Sequence, residues 1–184
     1  MTTPSPLELR LARRPSPVGT MYIVSDAQGH LRALDFEDHE ARMHQLLRLH
    51  YGTVSLIDAQ APRLITDAIE AYFDGESAPL HALPTQTAGT PFQRAVWRAL
   101  MDIAPGQTES YGSLARRLGK PGASRAVGLA NGANPISIVV PCHRVIGASG
   151  ALTGYGGGLW RKQWLLAHEQ AGGVAITKDL FHAA

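Results

Sequence analysis

The sequence predicts a two-domain α/β protein, with a mixed α/β domain over residues 1–85 and a mostly helical domain over residues 86–184. Three observations carry the prediction. A strand–turn–strand pattern and two helical periodicities fill the first half. A sharply capped helix and two short helices joined by a glycine-containing turn fill the second. The charge also changes sign between them. Residues 1–85 hold seven Arg and no Lys against eleven acids, a balance of −4, whereas residues 86–184 hold seven Arg and three Lys against four acids, a balance of +6. A basic half is the electrostatic footprint of a polyanion-binding surface, and uneven surface charge alone produces the same balance.

In the first half, Met21 to Val24 and Leu31 to Phe36 flank Asp26-Ala27-Gln28-Gly29, where glycine supplies the turn. Ala41 to Leu49 follows with Met43, Leu46, Leu47 and Leu49 near helical spacing. A second helix is predicted from near Pro62, because Leu64, Ile65, Ala68, Ile69 and Tyr72 fall on one face, and Asp74-Gly75 ends it. His30, His39, His44, His50 and His81 show no paired spacing and read as surface or half-buried side chains rather than metal ligands. Pro84 to Gly89 reads as a linker.

The second half opens on a capping box: Thr90 at the N-cap, Pro91 at N1 and Gln93 at N3. Phe92, Val96, Leu100 and Ile103 then form an apolar stripe beside Trp97, and Pro105-Gly106 stops the helix. Ser110 caps a short helix over Leu114, Ala115 and Leu118, with Gly119 at its C′ position. After Lys120-Pro121-Gly122, a small-residue helix runs from Ala123 to about Gly132. The pair has the form of a helix-turn-helix, a form that any two packed helices can share. Asn134-Pro135 breaks the chain, and Ile136 to Val140 is predicted as a short buried strand. A glycine-dense loop at residues 153–158 precedes a last helix carrying Leu159, Gln163 and Leu166 to Glu169, ending near Ala171-Gly172-Gly173.

The composition excludes several classes. At 45% hydrophobic and 17% charged, the chain can bury a core and is neither disordered nor collagen-like. No apolar run approaches the roughly 20 residues of a membrane span. The N-terminus lacks a continuous apolar segment of the secretory kind, so a cytoplasmic protein is expected. The single cysteine, Cys142, leaves no internal disulfide and no multi-cysteine zinc site, and no metal or other cofactor is expected.

A lone cysteine is by default a small buried hydrophobe. Against that stand its position where a buried segment ends, Pro141 before it, and His143 and Arg144 after it, two groups that can favour a thiolate. On a regular strand Cys142 and His143 would point to opposite faces, so either the backbone bends at Pro141-Cys142 or His143 acts through a water. His143 also needs an orienting group, for which Glu169 is the candidate.

From Asn134 to Ile146 the chain runs Asn-Pro-Ile-Ser-Ile-Val-Val-Pro-Cys-His-Arg-Val-Ile, followed by Thr-Gly-Tyr-Gly-Gly-Gly at 153–158 and Trp-Leu-Leu-Ala-His-Glu at 164–169. With Thr90-Pro-Phe-Gln, Ser110-Tyr111 and Ser124-Arg-Ala-Val-Gly before them, these motifs resemble the short bacterial methylated-DNA–protein-cysteine methyltransferases, or O6-alkylguanine-DNA alkyltransferases. The resemblance implies a ribonuclease-H-like first domain and a winged-helix-like second domain. It implies that Cys142 irreversibly accepts an alkyl group from O6 of guanine, or O4 of thymine, in double-stranded DNA after base flipping, once per molecule. His143 would relay the thiol proton through water, Glu169 would hold His143, and Asn134 would be the hinge between the second helix and the active-site segment. Arg125, on a helix laid in the minor groove, would replace the extruded nucleotide. Tyr111 would press on the neighbouring phosphate and donate toward the flipped base. Val145, Tyr155 and Gly156 would line the guanine pocket, with Arg144 among the DNA or substrate contacts. No membrane and no obligate protein partner are implied. A zinc site and a second cysteine domain found in some relatives are absent, and Ser137 stands where some relatives have proline, which bears on tolerance for bulky alkyl groups. Two other readings stay open: a non-catalytic DNA-binding regulator with Cys142 as core, and a thiol hydrolase, for which the chain offers no nucleophile elbow and no hydrolase His and Asn pattern.

Overall fold

Alternation in LELRLA puts Leu9 and Leu11 on one face of a strand that the periodicities above leave unassigned, β1 (Leu7–Arg14). In the computed structural model, which describes residues 5–170, it pairs with the predicted hairpin, β2 (Met21–Ser25) and β3 (Leu31–Phe36), and with β4 (Val54–Asp58). The order is β3-β2-β1-β4, antiparallel except for the parallel pair β1–β4. The hairpin turn is held by Asp26, whose carboxylate accepts from the backbone N–H of Gln28 and His30, and by Gly29 at φ +86°. A parallel pair needs a crossover, and α1 (Glu40–Tyr51) lies within it. Met43 and Leu47 of α1 cover Leu9, Leu11, Tyr22, Val24 and Ala33 on one sheet face.

The opposite face, with Met21, Ile23, Leu34 and Phe36, belongs to a second and larger core. That core takes in Ile65, Ala68, Ile69 and Tyr72 of α2 (Arg63–Phe73) and continues without interruption into the helical half. A short helix, α3 (Ala78–His81), follows α2. The linker does not hang free. Leu31 N donates to Pro84 O and Gln86 N to Leu31 O, so its first residues extend the sheet beyond β3.

Thr90 and Gln93 form the expected reciprocal cap on α4 (Pro91–Met101), at 3.2 and 2.9 Å. The helix ends at Met101, before Pro105, and Ile103 reaches the core from the following turn. Ser110 caps α5 (Tyr111–Arg117), and Gly119 closes it at φ +69°. α6 (Ser124–Gly132) packs against α5 as the expected pair. Two residues on either side of the site, β5 (Glu109–Ser110) and β6 (Val145–Ile146), pair in parallel. α7 (Leu159–Gln170) carries Glu169; its expected end at Ala171-Gly172-Gly173 lies outside the described residues.

The predicted strand Ile136–Val140 is not a strand. Only Ile136 bridges β3, through Leu34, and the chain then folds on itself with Val139 N donating to Ser137 O and Val140 N to Ile136 O. Ile138 takes φ +69°, rare for a β-branched residue and of the kind that costs on the order of 1–3 kcal/mol. All five residues are buried, so the apolar run did signal the interior. Burial does not specify an extended backbone, and here the Asn134 side chain replaces a neighbouring strand: it accepts from Ile136 N and donates to Ile136 O and Val140 O.

Candidate active site

The turn made by residues 136–140 delivers Cys142 into the interior at the start of one 3-10 turn, Cys142–Arg144. The backbone thus bends at Pro141-Cys142, yet Nδ1 of His143 has no hydrogen-bond partner and does not meet the thiol directly. Cys142 is 3% exposed, and the Nδ2 of Asn134 lies 3.1 Å from its Sγ, while Asn131 Nδ2 donates to the Cys142 carbonyl at 3.2 Å. Both asparagines come from the C-terminal end of α6 and the step just after it, so the cysteine turn is anchored to the second helix of the pair. His50 of α1 donates to Ala133 O beside them and is buried, deeper than the surface or half-buried place expected of these histidines.

His143 is buried, and its Nε2 lies 2.8 Å from Glu169 Oε1. In the neutral ring that contact puts the proton on Nε2 and leaves Nδ1, buried and unpartnered, as the basic nitrogen. Glu169 is itself enclosed. It accepts from Arg144 Nε and Nη2 at 2.9 and 2.8 Å, from Tyr72 Oη at 3.0 Å and from Gly106 N at 3.3 Å. Burial pushes its carboxyl upward, but His143 and the Arg144 fork outweigh that and hold it far below the usual carboxylate range. Burial likewise pushes His143 below its ordinary value despite Glu169, so the ring is neutral. The Cys142 thiol is pushed up by burial, opposed by Asn134 and by the positive charges of Arg42 and Lys162. The resting site is thus a protonated thiol beside a neutral imidazole held by a carboxylate.

Arg144, expected among the DNA or substrate contacts, is withdrawn from the surface. It is 2% exposed, with its guanidinium taken up by Glu169 and by the Ile103 carbonyl at 2.5 Å. The basic residue after the histidine serves the carboxylate, a role its position in the sequence did not reveal.

Val145 is fully buried, and the Tyr155 ring stands edge-on to His143 with centroids 6.5 Å apart. Lys162, also fully buried, holds the loop before Tyr155 by donating to Val145 O, Thr153 O and Gly154 O; burial lowers its ammonium to about 8, which leaves it charged at neutral pH. A Cβ at Gly156 would overlap the guanidinium of Arg42, so a larger residue there requires Arg42 to shift from its partners. Arg42 is a residue beside the site that the periodicities missed. From α1 it pairs with buried Asp35 at 2.5 Å and donates to Gly132 O and Asn134 O, each at 3.1 Å. The available signal was Asp35, a carboxylate on an otherwise apolar strand, which needs a partner.

Tyr111 and Arg125 lie at the rim. Tyr111 Oη donates to Thr153 O at 3.2 Å, and its ring rests against Gly128 of α6, about where a Cβ there would make van der Waals contact. Arg125 is exposed on α6 and has no carboxylate partner among the described residues. With Tyr111, Ser124, Gly128 and Leu129 it lines a shallow, mostly apolar depression. Among the described residues no group of His, Cys, Asp and Glu is placed to hold a metal ion, and no helix is long and apolar enough to cross a membrane.

Two family models together match most of the chain. Residues 10–87 match the family model for the ribonuclease-like domain of 6-O-methylguanine DNA methyltransferase, and residues 91–171 match that for its DNA binding domain. The methylated-DNA–protein-cysteine methyltransferase of Salmonella typhimurium is 54% identical over 156 residues, 84% of this chain and 91% of that one. Its namesake in Mycolicibacterium paratuberculosis is 61% identical over 112 residues, 59% of this chain and 67% of that one. The crystal structure of Mycobacterium tuberculosis OGT in complex with DNA superposes with a TM-score of 0.75 at 41% identity, covering 92% of this chain and 96% of that one. Two family models in the order the fold presents them, and a relative similar over most of both chains, decide the matter: the chain belongs to the methylated-DNA–protein-cysteine methyltransferase family.

Proposed function

We propose that the protein repairs alkylated DNA by moving an alkyl group from O6 of guanine to Cys142, once per molecule. The observation that carries this reading is the buried array of Asn134, Cys142, His143 and Glu169, a nucleophile with a neutral base and a carboxylate that orients the base. The Cys142 sulfur attacks the alkyl carbon, an S–C bond forms, and the C–O6 bond breaks with its electron pair passing to the base. The thiol proton leaves through water to Nδ1 of His143, and the guanine takes up a proton, so a thioether and an unmodified guanine result. A thioether does not hydrolyse under cellular conditions, and the reaction stops at one turnover.

A thiol this deeply buried cannot reach an exocyclic oxygen inside a base stack. The base has to be extruded, at a cost of a few kcal/mol. The exposed Arg125 on a helix of small residues suits the gap that extrusion leaves in the minor groove, and Tyr111 suits a contact at the mouth of the site. O4-alkylthymine offers the same oxygen chemistry and is a second substrate. The partner is double-stranded DNA, without an obligate protein partner, and the location proposed is the cytoplasm. The division at residues 85 and 86 then separates a supporting domain from the one that binds DNA. Intact-mass analysis after mixing the protein with DNA containing O6-methylguanine tests the whole reading. One added methyl group, mapped to Cys142, is the expected result; an unchanged mass overturns it.

A further inference from the structure

Consecutive residues of α7 hold the glycine loop from two directions. Lys162 fixes its first half through the carbonyls of Thr153 and Gly154. Arg161 fixes its second half and does something more: it ties the loop to the first domain. Arg161 is 3% exposed. Its Nη1 donates to Gly157 O at 2.7 Å, its Nε to Val18 O at 2.7 Å, and its fork meets Asp38 at 3.0 and 2.8 Å. The guanidinium carbon lies 4.2 Å from the centre of the Phe36 ring and 4.5 Å from that of Trp160. A Cβ at Gly157 would fall 2.5 Å from Phe36, so the loop backbone is pressed directly onto the first domain. The loop segment between these two anchors carries Tyr155, edge-on to His143, and Gly156 against Arg42. Tyr155 also lies within electrostatic reach of Cys142, so this segment borders the thiol as a wall of the site.

We propose that the Arg161–Asp38 clamp sets the size of alkyl group the site accepts, by preventing the Tyr155–Gly157 wall from moving outward. The inference rests on the alkyl-transfer reading above. A group larger than methyl would need the wall to move outward, and that movement breaks the bond from Arg161 to Gly157 O. The carbonyl released would be buried against Phe36, and an unsatisfied buried acceptor is penalised. The clamp thus makes the first domain a determinant of substrate size without touching the substrate; Arg161 and Asp38 are positioning residues.

The test compares free O6-methylguanine with free O6-benzylguanine, so that DNA binding plays no part. Second-order rates of Cys142 alkylation are measured for the wild type, Arg161→Lys and Asp38→Asn, alongside thermal melting. Lysine keeps the charge but cannot span Gly157 O, Val18 O and Asp38 together. The benzyl-to-methyl rate ratio is expected to rise about tenfold in Arg161→Lys, the scale on which a pocket wall discriminates by size, and in the same direction but less in Asp38→Asn. A clamp that only supports the fold would lower both rates with melting temperature and leave the ratio unmoved, which overturns the proposal. Should Arg161→Lys fail to fold, Asp38→Asn decides, because Asp38 is 58% exposed and lies outside the core. Transfer from O6-methylguanine in duplex DNA is measured on the same wild type, and its absence sinks the transfer reading instead, so the two failures are distinguishable.

Discussion

Cys142 is 3% exposed, with Nδ2 of Asn134 3.1 Å from its sulfur. Burial keeps its thiol protonated at neutral pH, so the nucleophile has to be generated in place, and Nδ1 of His143 is the group with a free lone pair to do it. Cys142→Ser therefore removes transfer altogether, since a serine hydroxyl is far harder to deprotonate, and leaves DNA affinity within about twofold because the basic surface is unchanged. Single-turnover transfer and a binding isotherm on the same variant check both halves. The pH dependence follows from His143. Its value is lowered from the ordinary 6.5, so the base stays neutral, and transfer stays fast, as pH falls below that point. The rate declines only at lower pH, when the ring is finally protonated. Glu169→Gln removes the charge that pulls His143 upward. The acid limb of the rate profile then moves to still lower pH, while the plateau drops because the ring loses its orientation. The same change leaves the buried Arg144 without a counter-charge, at a cost of about 3–5 kcal/mol in stability. Because Glu169 is held below its unfolded value of 4.5, its contribution to stability is present above that pH and lost as pH falls through the lower range. In Glu169→Gln, urea unfolding should show a weaker fall in stability with acid than the wild type. An acid limb that stays where it was would separate Glu169 from His143.

At the scale of elements, the helices whose ends carry chemistry were legible, and the backbone held by side chains was not. Thr90, Gln93, Ser110 and Gly119 each fill a position that a helix end requires, so α4 and α5 could be read from residue type alone. The strands β1 and β4 show weaker signals: β1 alternates but is interrupted by charge, and β4 is a half-exposed edge. Residues 136–140 failed for a different reason. Their apolar character was visible, but the choice between strand and turn lies with Asn134, whose amide stands in for a missing strand. Likewise the pairing of Glu169 with His143 followed from motif and chemistry, while Arg42 became visible only once α1 was laid beside Asn134. α6 carries the sharpest prediction at this scale. Its buried residues are Val127, Ala130 and Asn131, which leaves Arg125 on the free face. Arg125→Ala should slow transfer from duplex DNA by at least about tenfold at saturating DNA, and leave reaction with free O6-methylguanine within about twofold, because only a stacked base needs extrusion. If Arg125 merely neutralised a phosphate, raising the DNA concentration would restore the full rate. If it only packed within the fold, both substrates would slow alike.

For the whole molecule, net charge overstates the DNA-binding surface, and the structure shows by how much. The second half carries +6, yet several of its cations are already committed. Arg144 serves Glu169, Arg161 serves Asp38, Lys162 is buried under loop carbonyls, and Arg117 is shared between Asp102 and Glu109. Among the described residues of that half, the exposed cations without a carboxylate partner are Arg94, Arg98, Arg116, Lys120 and Arg125. Three of these stand on or between α5 and α6, and two on α4. Each phosphate neutralised contributes about 0.9 to the slope of log affinity against log salt. If only the helix pair docks, the slope is about −3; if α4 also reaches the backbone, it approaches −4 to −5. The two cases separate by substitution. Lys120→Gln and Arg116→Gln should each shallow the slope by roughly one unit, whereas Arg98→Gln does so only if α4 takes part. Arg117→Gln is the internal control: it removes the same formal charge from the sequence but a charge already spent on two carboxylates, and it should leave the slope within about half a unit of the wild type. Affinity measured on an undamaged duplex at four or more salt concentrations gives every slope. A flat dependence in the wild type would place the DNA somewhere other than on the face made by α5 and α6, and a loss in Arg117→Gln as large as in Lys120→Gln would show that its two carboxylate pairs do not withhold that cation from the phosphates.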